Sequence, residues 1–202
     1  MKAARSRMKG SERREQILVV ARECFSEHGY SGTTTAMIAR ETGVTEPVLY
    51  RHFASKLVLF HAILEETLHV SLSHFAEITA GLESGADKLL AIVQDYPKFA
   101  RKNRNLFNMV DRAVATDGGD KTRRMLADYY HGFEEALCAF VAEGQADGSI
   151  RKSIDPLVIS SLLTMAGVGF GVLDGLDDPR YTRPDFPEKL ASLIALILKP
   201  RA

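Results

Sequence analysis

Residues Thr33–Phe53 read TTTAMIARETGVTEPVLYRHF, and this stretch decides the fold. A run of threonines opens one short helix, Gly43 breaks it, and Thr45 opens a second. Ile38 and Ala39 turn inward on the first, Leu49 and Phe53 on the second, and Val44 plugs the space between them. Pro47 is tolerated because first-turn amides have no intrahelical acceptor. Two such helices across a three- to four-residue turn form a helix-turn-helix, here spanning about 34–53, whose second helix can enter a DNA major groove. The same periodicity leaves Glu46, Tyr50 and His52 toward solvent. A large aromatic exposed beside bases is an unusual surface choice.

Working outward, an N-terminal helix is expected from Ser11, with Glu12 and Glu15 in its positive first turn. Ile17, Ala21, Cys24 and Phe25 form its buried stripe, and Gly29 ends it in a left-handed conformation. Ser55 caps a long fourth helix from Lys56 to about Ile78, with Leu57, Phe60, Ile63, Leu64, Leu68 and Leu72 inward. Gly81–Gly85 is the first break in composition. Helical patterns follow over about 86–101, 104–115 and 121–143, with the turn Asp117-Gly118-Gly119-Asp120 between the last two. Gly144–Ser153 reads as a loop. Asp155-Pro156 is a cap followed by proline at the first helical position, opening a helix to about Leu173. Asp174–Pro187 reads as an extended connection before a last helix over 187–198. There is no strand pattern, so the fold class is all-α.

The 202 residues suit one large domain or two small ones. Acids and bases balance at 26 each, but unevenly along the chain. Residues 1–56 hold ten Lys/Arg against six acids, and the remainder is acidic to the same degree. A basic end on an acidic body fits a single nucleic-acid surface. Cys24 and Cys138, two thiols in apolar helical patterns, point to buried free cysteines in a reducing cytoplasm. The basic N-terminus has no apolar core behind it and does not read as a signal peptide. Leu157–Leu173 is uncharged over 17 residues, but Ser160, Ser161, Thr164, Gly167, Gly169 and Gly171 suit a protein interface better than a membrane span.

The pieces F-x-x-H-G-Y, TTTAMIARETGV and LYRHFASKLVLF, at their intervals over about Ser11–Leu72, resemble the N-terminal domain of the TetR (tetracycline-repressor-like) family. The resemblance implies a homodimeric transcription regulator, usually a repressor. It also implies a divergent helical C-terminal domain that binds a small molecule and dimerises. On this reading residues 11–71 are the DNA-binding domain, linked by the fourth helix to a ligand-binding and dimerisation domain over 80–200. The partners are double-stranded DNA with a palindromic operator, an unknown small-molecule effector and a second copy of the chain.

Thr33, Thr34 and Thr35 sit where the second helix begins and can donate to phosphate oxygens, or can simply cap it. Tyr50 matches the family tyrosine, whose hydroxyl would bond a phosphate, and Lys56 matches the family's phosphate clamp at the start of the fourth helix. Arg40 and Arg51 add phosphate contacts, and His52 either reaches a phosphate or packs. Base reading falls to Thr45, Glu46 and Pro47 at the entering end of the third helix. Glu46-Pro47 departs from the commoner family pattern of a lysine-glycine or similar pair. That leaves the operator sequence open. The basic arm Lys2, Arg5, Arg7, Lys9, Arg13 and Arg14 either lies along a groove or is a solubilising tail.

The helices over 156–173 and 187–198 are the most apolar and match the family's dimer-forming positions. Pocket candidates on the middle helices are Tyr96, Phe99, Phe107, Met109, Tyr130, Phe133 and Phe170. His61, Glu65 and His69 recur at steps of four without a further ligand cluster, so no metal is expected, and no cofactor. With no Ser-His-Asp grouping, glycine-rich phosphate loop or paired carboxylates, an enzyme is not expected either. An activator or global regulator on the same scaffold is the alternative to a repressor.

Overall fold

The structure, a computed structural model, describes residues 9–115, 119–176 and 178–200. Among these, every regular element is a helix: α1 (Gly10–Gly32), α2 (Thr35–Thr42), α3 (Glu46–His52), α4 (Lys56–Thr79), α5 (Gly85–Lys102), α6 (Arg104–Ala115), α7 (Gly119–Asp147), α8 (Pro156–Asp174), α9 (Pro179–Thr182) and α10 (Phe186–Leu198).

Local chemistry explains most boundaries. Gly29, at φ 70° and ψ 174°, breaks α1 in a region that residues with a β-carbon avoid. The Thr34 hydroxyl accepts from the Met37 amide at 3.1 Å and starts α2. Gly43, left-handed at φ 70°, ends it and sends the chain into α3. Ser55 caps α4 through the Val58 amide at 3.2 Å. In α4, Thr67, Ser71 and Thr79 are buried because each hydroxyl donates back to the carbonyl four residues earlier, at 2.7–2.9 Å.

Several expectations are corrected. Helix α1 begins at Gly10, one residue before Ser11: the Lys9 amide donates to the Glu12 carboxylate at 3.0 Å, so the acid three residues on secures the start. Helix α7 runs on to Asp147, into the expected loop. The connection before α10 contains the single turn α9, started by the Asp178 carboxylate on the Arg180 amide at 2.9 Å. Cys24 is buried, and burial pushes its thiol up, whereas Cys138 is only half-buried. The Asp117-Gly118 part of the expected turn lies outside the described residues, as do Lys2, Arg5 and Arg7.

Two apolar cores hold the molecule. The first joins Ile17, Phe25, Ile38, Leu49, Phe53, Phe60 and Ile63 of α1–α4, and it also takes in Met109, Val110 and Ala113 of α6 and Leu126 and Tyr129 of α7. The second joins Phe75, Leu89, Ile92, Leu137, Val141, Ile159, Ile194 and Leu198 from α4, α5, α7, α8 and α10. Phe133 packs against both. Burying one such Phe or Ile side chain contributes roughly 1.5–3 kcal/mol. The cores interlock through α4 and α7, and α6 and α7 complete the first, so the segment 11–71 does not close its own core.

Helices α8 and α10 leave an apolar face uncovered. Val158, Met165, Val172, Leu193 and Leu196 are more than half exposed, with Leu196 at 72%. By length and composition α8 could cross a membrane, the one described helix of which this holds. Its far end carries the buried, ion-paired Asp174.

Candidate nucleic-acid interface

The α2–α3 surface is organised by one hydroxyl. Thr35 Oγ1 donates its single proton to Glu46 Oε1 at 2.6 Å, and so accepts from the Tyr50 hydroxyl at 3.1 Å. This network ties the start of α2 to the first and middle turns of α3. It holds Tyr50, 46% exposed, upright beside the helix pair. It also orients Glu46 toward α2, with one carboxylate oxygen engaged inside the protein. Thr45 and Pro47 are exposed, and the Thr45 hydroxyl makes no capping bond although the residue sits at the cap position. Thr34 and Arg51 are also exposed and His52 is half-buried. Arg40 is exposed and bonded through Nε and Nη2 to Glu41 at 3.0 and 2.9 Å.

Two expected contacts stand differently. Thr33 is fully buried: its hydroxyl lies 3.0 Å from the Cys24 carbonyl and 2.8 Å from that of Gly29. Its side chain therefore fastens the end of α1 and is withdrawn from the surface. Lys56 Nζ donates to the carbonyls of Tyr30 and Thr33 at 2.8 and 2.9 Å and lies 4.3 Å from the Tyr30 ring centroid. Burial lowers its pKa below that of an ordinary lysine. This second role is not legible in the residue order, because carbonyls exposed by the Gly29 break are visible only in three dimensions. Of the described arm residues, Arg14 lies over the Phe53 ring at 4.9 Å and Arg13 bonds Gln16.

In the helical body, α4–α8 and α10 enclose an apolar cavity of about 100 Å³. Tyr96, Phe107, Tyr130, Phe133 and Phe170 line it. The other two pocket candidates do not: Phe99 is buried and stacks on His74 at 4.3 Å, and Met109 is fully buried in the first core. Residue type predicts burial but not which side of a helix faces a cavity. Tyr96 donates to the Gly167 carbonyl at 3.2 Å, tying α5 to α8 across the cavity. His74 Nε2 and Asp95 Oδ2, 2.5 Å apart, tie α4 to α5. Phe107 and Val110 of α6 face the cavity, while Met109 and Ala113, together with Val110 itself, lie in the first core. The Arg112 guanidinium also donates to the Glu27 carbonyl at 2.6 Å, so α6 is fastened to α1.

The fold and this surface define a helix-turn-helix protein with a cavity-bearing helical body. Residues 17–63 match the model of the bacterial regulatory proteins of the tetR family. The chain thus carries a DNA-binding domain of the TetR family over these residues. It is 38% identical over 99 residues to the nucleoid occlusion factor SlmA of Haemophilus influenzae, covering 47% of this chain and 44% of that one. It is 30% identical over 105 residues to the HTH-type transcriptional activator FasR of Mycolicibacterium smegmatis, covering 52% and 48%. These matches thus span about half the length of either relative. Among solved structures, the transcriptional regulator FadR of Bacillus subtilis in complex with stearoyl-CoA superposes with a TM-score of 0.79, covering 91% of this chain and 98% of that one at 17% identity. At that identity the likeness is one of fold.

Proposed function

We propose that the chain is a cytoplasmic, ligand-responsive transcriptional regulator, acting as a homodimeric repressor of a palindromic operator. Residues 11–71 form the reading head and 80–200 the effector-binding and dimerisation body. The observation that carries the reading is α6, one helix with Phe107 and Val110 on the cavity and Met109 and Ala113 in the core of the DNA-binding helices. A ligand that enlarges the cavity displaces a helix on which the head is seated. Such a ligand releases DNA only by the difference in its affinity for the two states.

On the DNA, the Tyr50 hydroxyl turns its one proton from Thr35 to a phosphate oxygen, and Thr34 contacts a phosphate as well. Arg40, Arg51 and His52 border the same face. Thr45, Pro47 and the free oxygen of Glu46 meet base edges, where a carboxylate accepts from a cytosine amino group and proline touches a thymine methyl. Lys56 acts first as the strut beneath α2. Two copies meet through the open faces of α8 and α10, holding the heads one DNA turn or a multiple apart, about 34 Å per turn.

The test is a gel shift with DNA flanking the chain's own gene, using wild type and Tyr50→Phe. Losing one hydroxyl contact in each head is expected to weaken binding roughly three- to tenfold per head with melting unchanged. If the wild type binds neither that DNA nor any genomic palindrome at low salt, the DNA-binding reading fails. Since one relative is named an activator, a reporter assay separates the two signs of regulation: expression that falls on deletion of the gene makes this chain an activator.

A further inference from the structure

The cavity that the proposed function assigns to an effector is predominantly apolar, its polar groups being the hydroxyls of Thr164 and three tyrosines. None of its lining residues is charged. The lining residues on α8 run from Leu163 to Gly171, about 12 Å of helix. The cavity's elongated outline suits a slender apolar body, which it admits by widening from about 100 Å³, and it does not suit an unpaired charge.

At the Phe170 end the polarity changes abruptly. Asp174, one turn further along α8, is buried and holds two guanidinium groups: Arg101 Nη2 of α5 lies 2.7 Å from Oδ1 and Arg104 Nη2 of α6 lies 3.2 Å from Oδ2. Arg101 also lies over the Phe170 ring, 5.4 Å from its centroid, so a single ring separates the guanidinium from the cavity. Arg101, Arg104, Asp174 and Thr182 border a recess of about 430 Å³ that opens to solvent. Two cations share one carboxylate and leave an excess of one positive charge. Both guanidinium groups are nearly half exposed, and Nε and Nη1 of Arg104 have no acceptor among the described residues. If the arginines served only to close the end of α8, one would suffice.

We propose that the site takes a slender apolar carboxylate, with its chain in the aromatic cavity and its carboxylate on Arg101 and Arg104. The inference rests on reading the cavity as an effector site. Asp174 acts as the internal stand-in for the ligand's carboxylate, holding the arginines in place while the site is empty. The three groups belong to α5, α6 and α8. An incoming anion therefore competes with the contact that joins α8 to the helix on which the reading head rests.

The test uses decanoate and its uncharged counterpart decan-1-ol, titrated calorimetrically into the full chain at neutral pH and low salt. Wild type is expected to prefer decanoate by about tenfold, the effect of one charge-assisted contact. Arg104→Gln removes that preference while leaving decan-1-ol binding intact. Asp174→Asn, which removes the competing charge, strengthens decanoate binding and not decan-1-ol binding. Equal affinity for the two compounds in wild type overturns the anion site, as does equal weakening of both in Arg104→Gln, the mark of a merely structural arginine. Failure of both compounds to bind overturns it too. Decanoate that binds with the stated preference but leaves the operator complex intact overturns the ligand-responsive reading and not the site.

Discussion

Lys56 illustrates how one side chain serves structure beneath a functional surface. Its ammonium satisfies two carbonyls left open where Gly29 breaks α1, and the Tyr30 ring covers it. Lys56→Met keeps the aliphatic stem and removes both charge-assisted bonds. Chemical denaturation is expected to show a loss of about 1–3 kcal/mol. A lysine that only touched phosphate would leave stability unchanged. Asp174 is the second such residue. Burial pushes its carboxyl up, but the bonds and charges of Arg101 and Arg104 outweigh this and hold it below the usual value. Its unfolded pKa is about 3.9. Its ion pairs therefore contribute in full above that pH and are lost as pH falls through the lower folded value. The stability gap between wild type and Asp174→Asn should accordingly narrow on acidification below about pH 4. A gap constant from pH 7 to pH 2 would remove the charge from the explanation.

At the level of elements, the helix starts at Thr34, Ser55 and Asp155 were legible, each capping the helix that follows with its own side chain. The Thr45 hydroxyl makes no such bond, and the cap at Ser84 was not read from the sequence. The tertiary seats of those helices were not legible. The N-terminus of α5 is also secured from the far end of α7: the Gly85 amide donates to Asp147 at 2.8 Å and the Ala86 amide to Ser149 at 3.1 Å. The approach is so close that a β-carbon at Gly85 would lie 2.2 Å from the Gly144 nitrogen, a backbone atom that cannot swing aside. Gly85→Ala is expected to cost about 1–3 kcal/mol, read by thermal melting, by forcing the two helices apart. Composition marks Gly85 only as part of a break. In the same way, the threonine run predicts hydroxyls at a helix start, while the burial of Thr33 follows from a carbonyl nine residues back. Phe99 and Met109 show the other limit. Periodicity identifies an inward face, but a cavity and a packed core both lie inward.

For the whole molecule, the uncovered side of α8 and α10 is the largest departure from a self-contained surface. Val158, Met165, Leu193 and Leu196 would sit in water if the chain were alone, and exposed apolar patches of this kind mark association surfaces. Light scattering at micromolar concentration is expected to give twice the chain mass. Met165→Glu combined with Leu196→Glu is expected to give a single chain mass with the helical signal retained. Monomeric wild type would overturn the pairing and, with it, the palindromic operator.

The shared first core has a consequence for modularity. Met109, Val110, Ala113, Leu126 and Tyr129 are as much a part of the head's interior as Phe25 or Leu49. The head is therefore not a detachable cassette. A fragment cut after α4 would expose the apolar seat left by α6 and α7 and would lose the cooperative unfolding of the intact chain. A chimera that grafts this head onto another body must bring α6 and the first half of α7 along, or supply their equivalents. Wherever recombination has exchanged heads and bodies among such proteins, this interior limits where the join can fall.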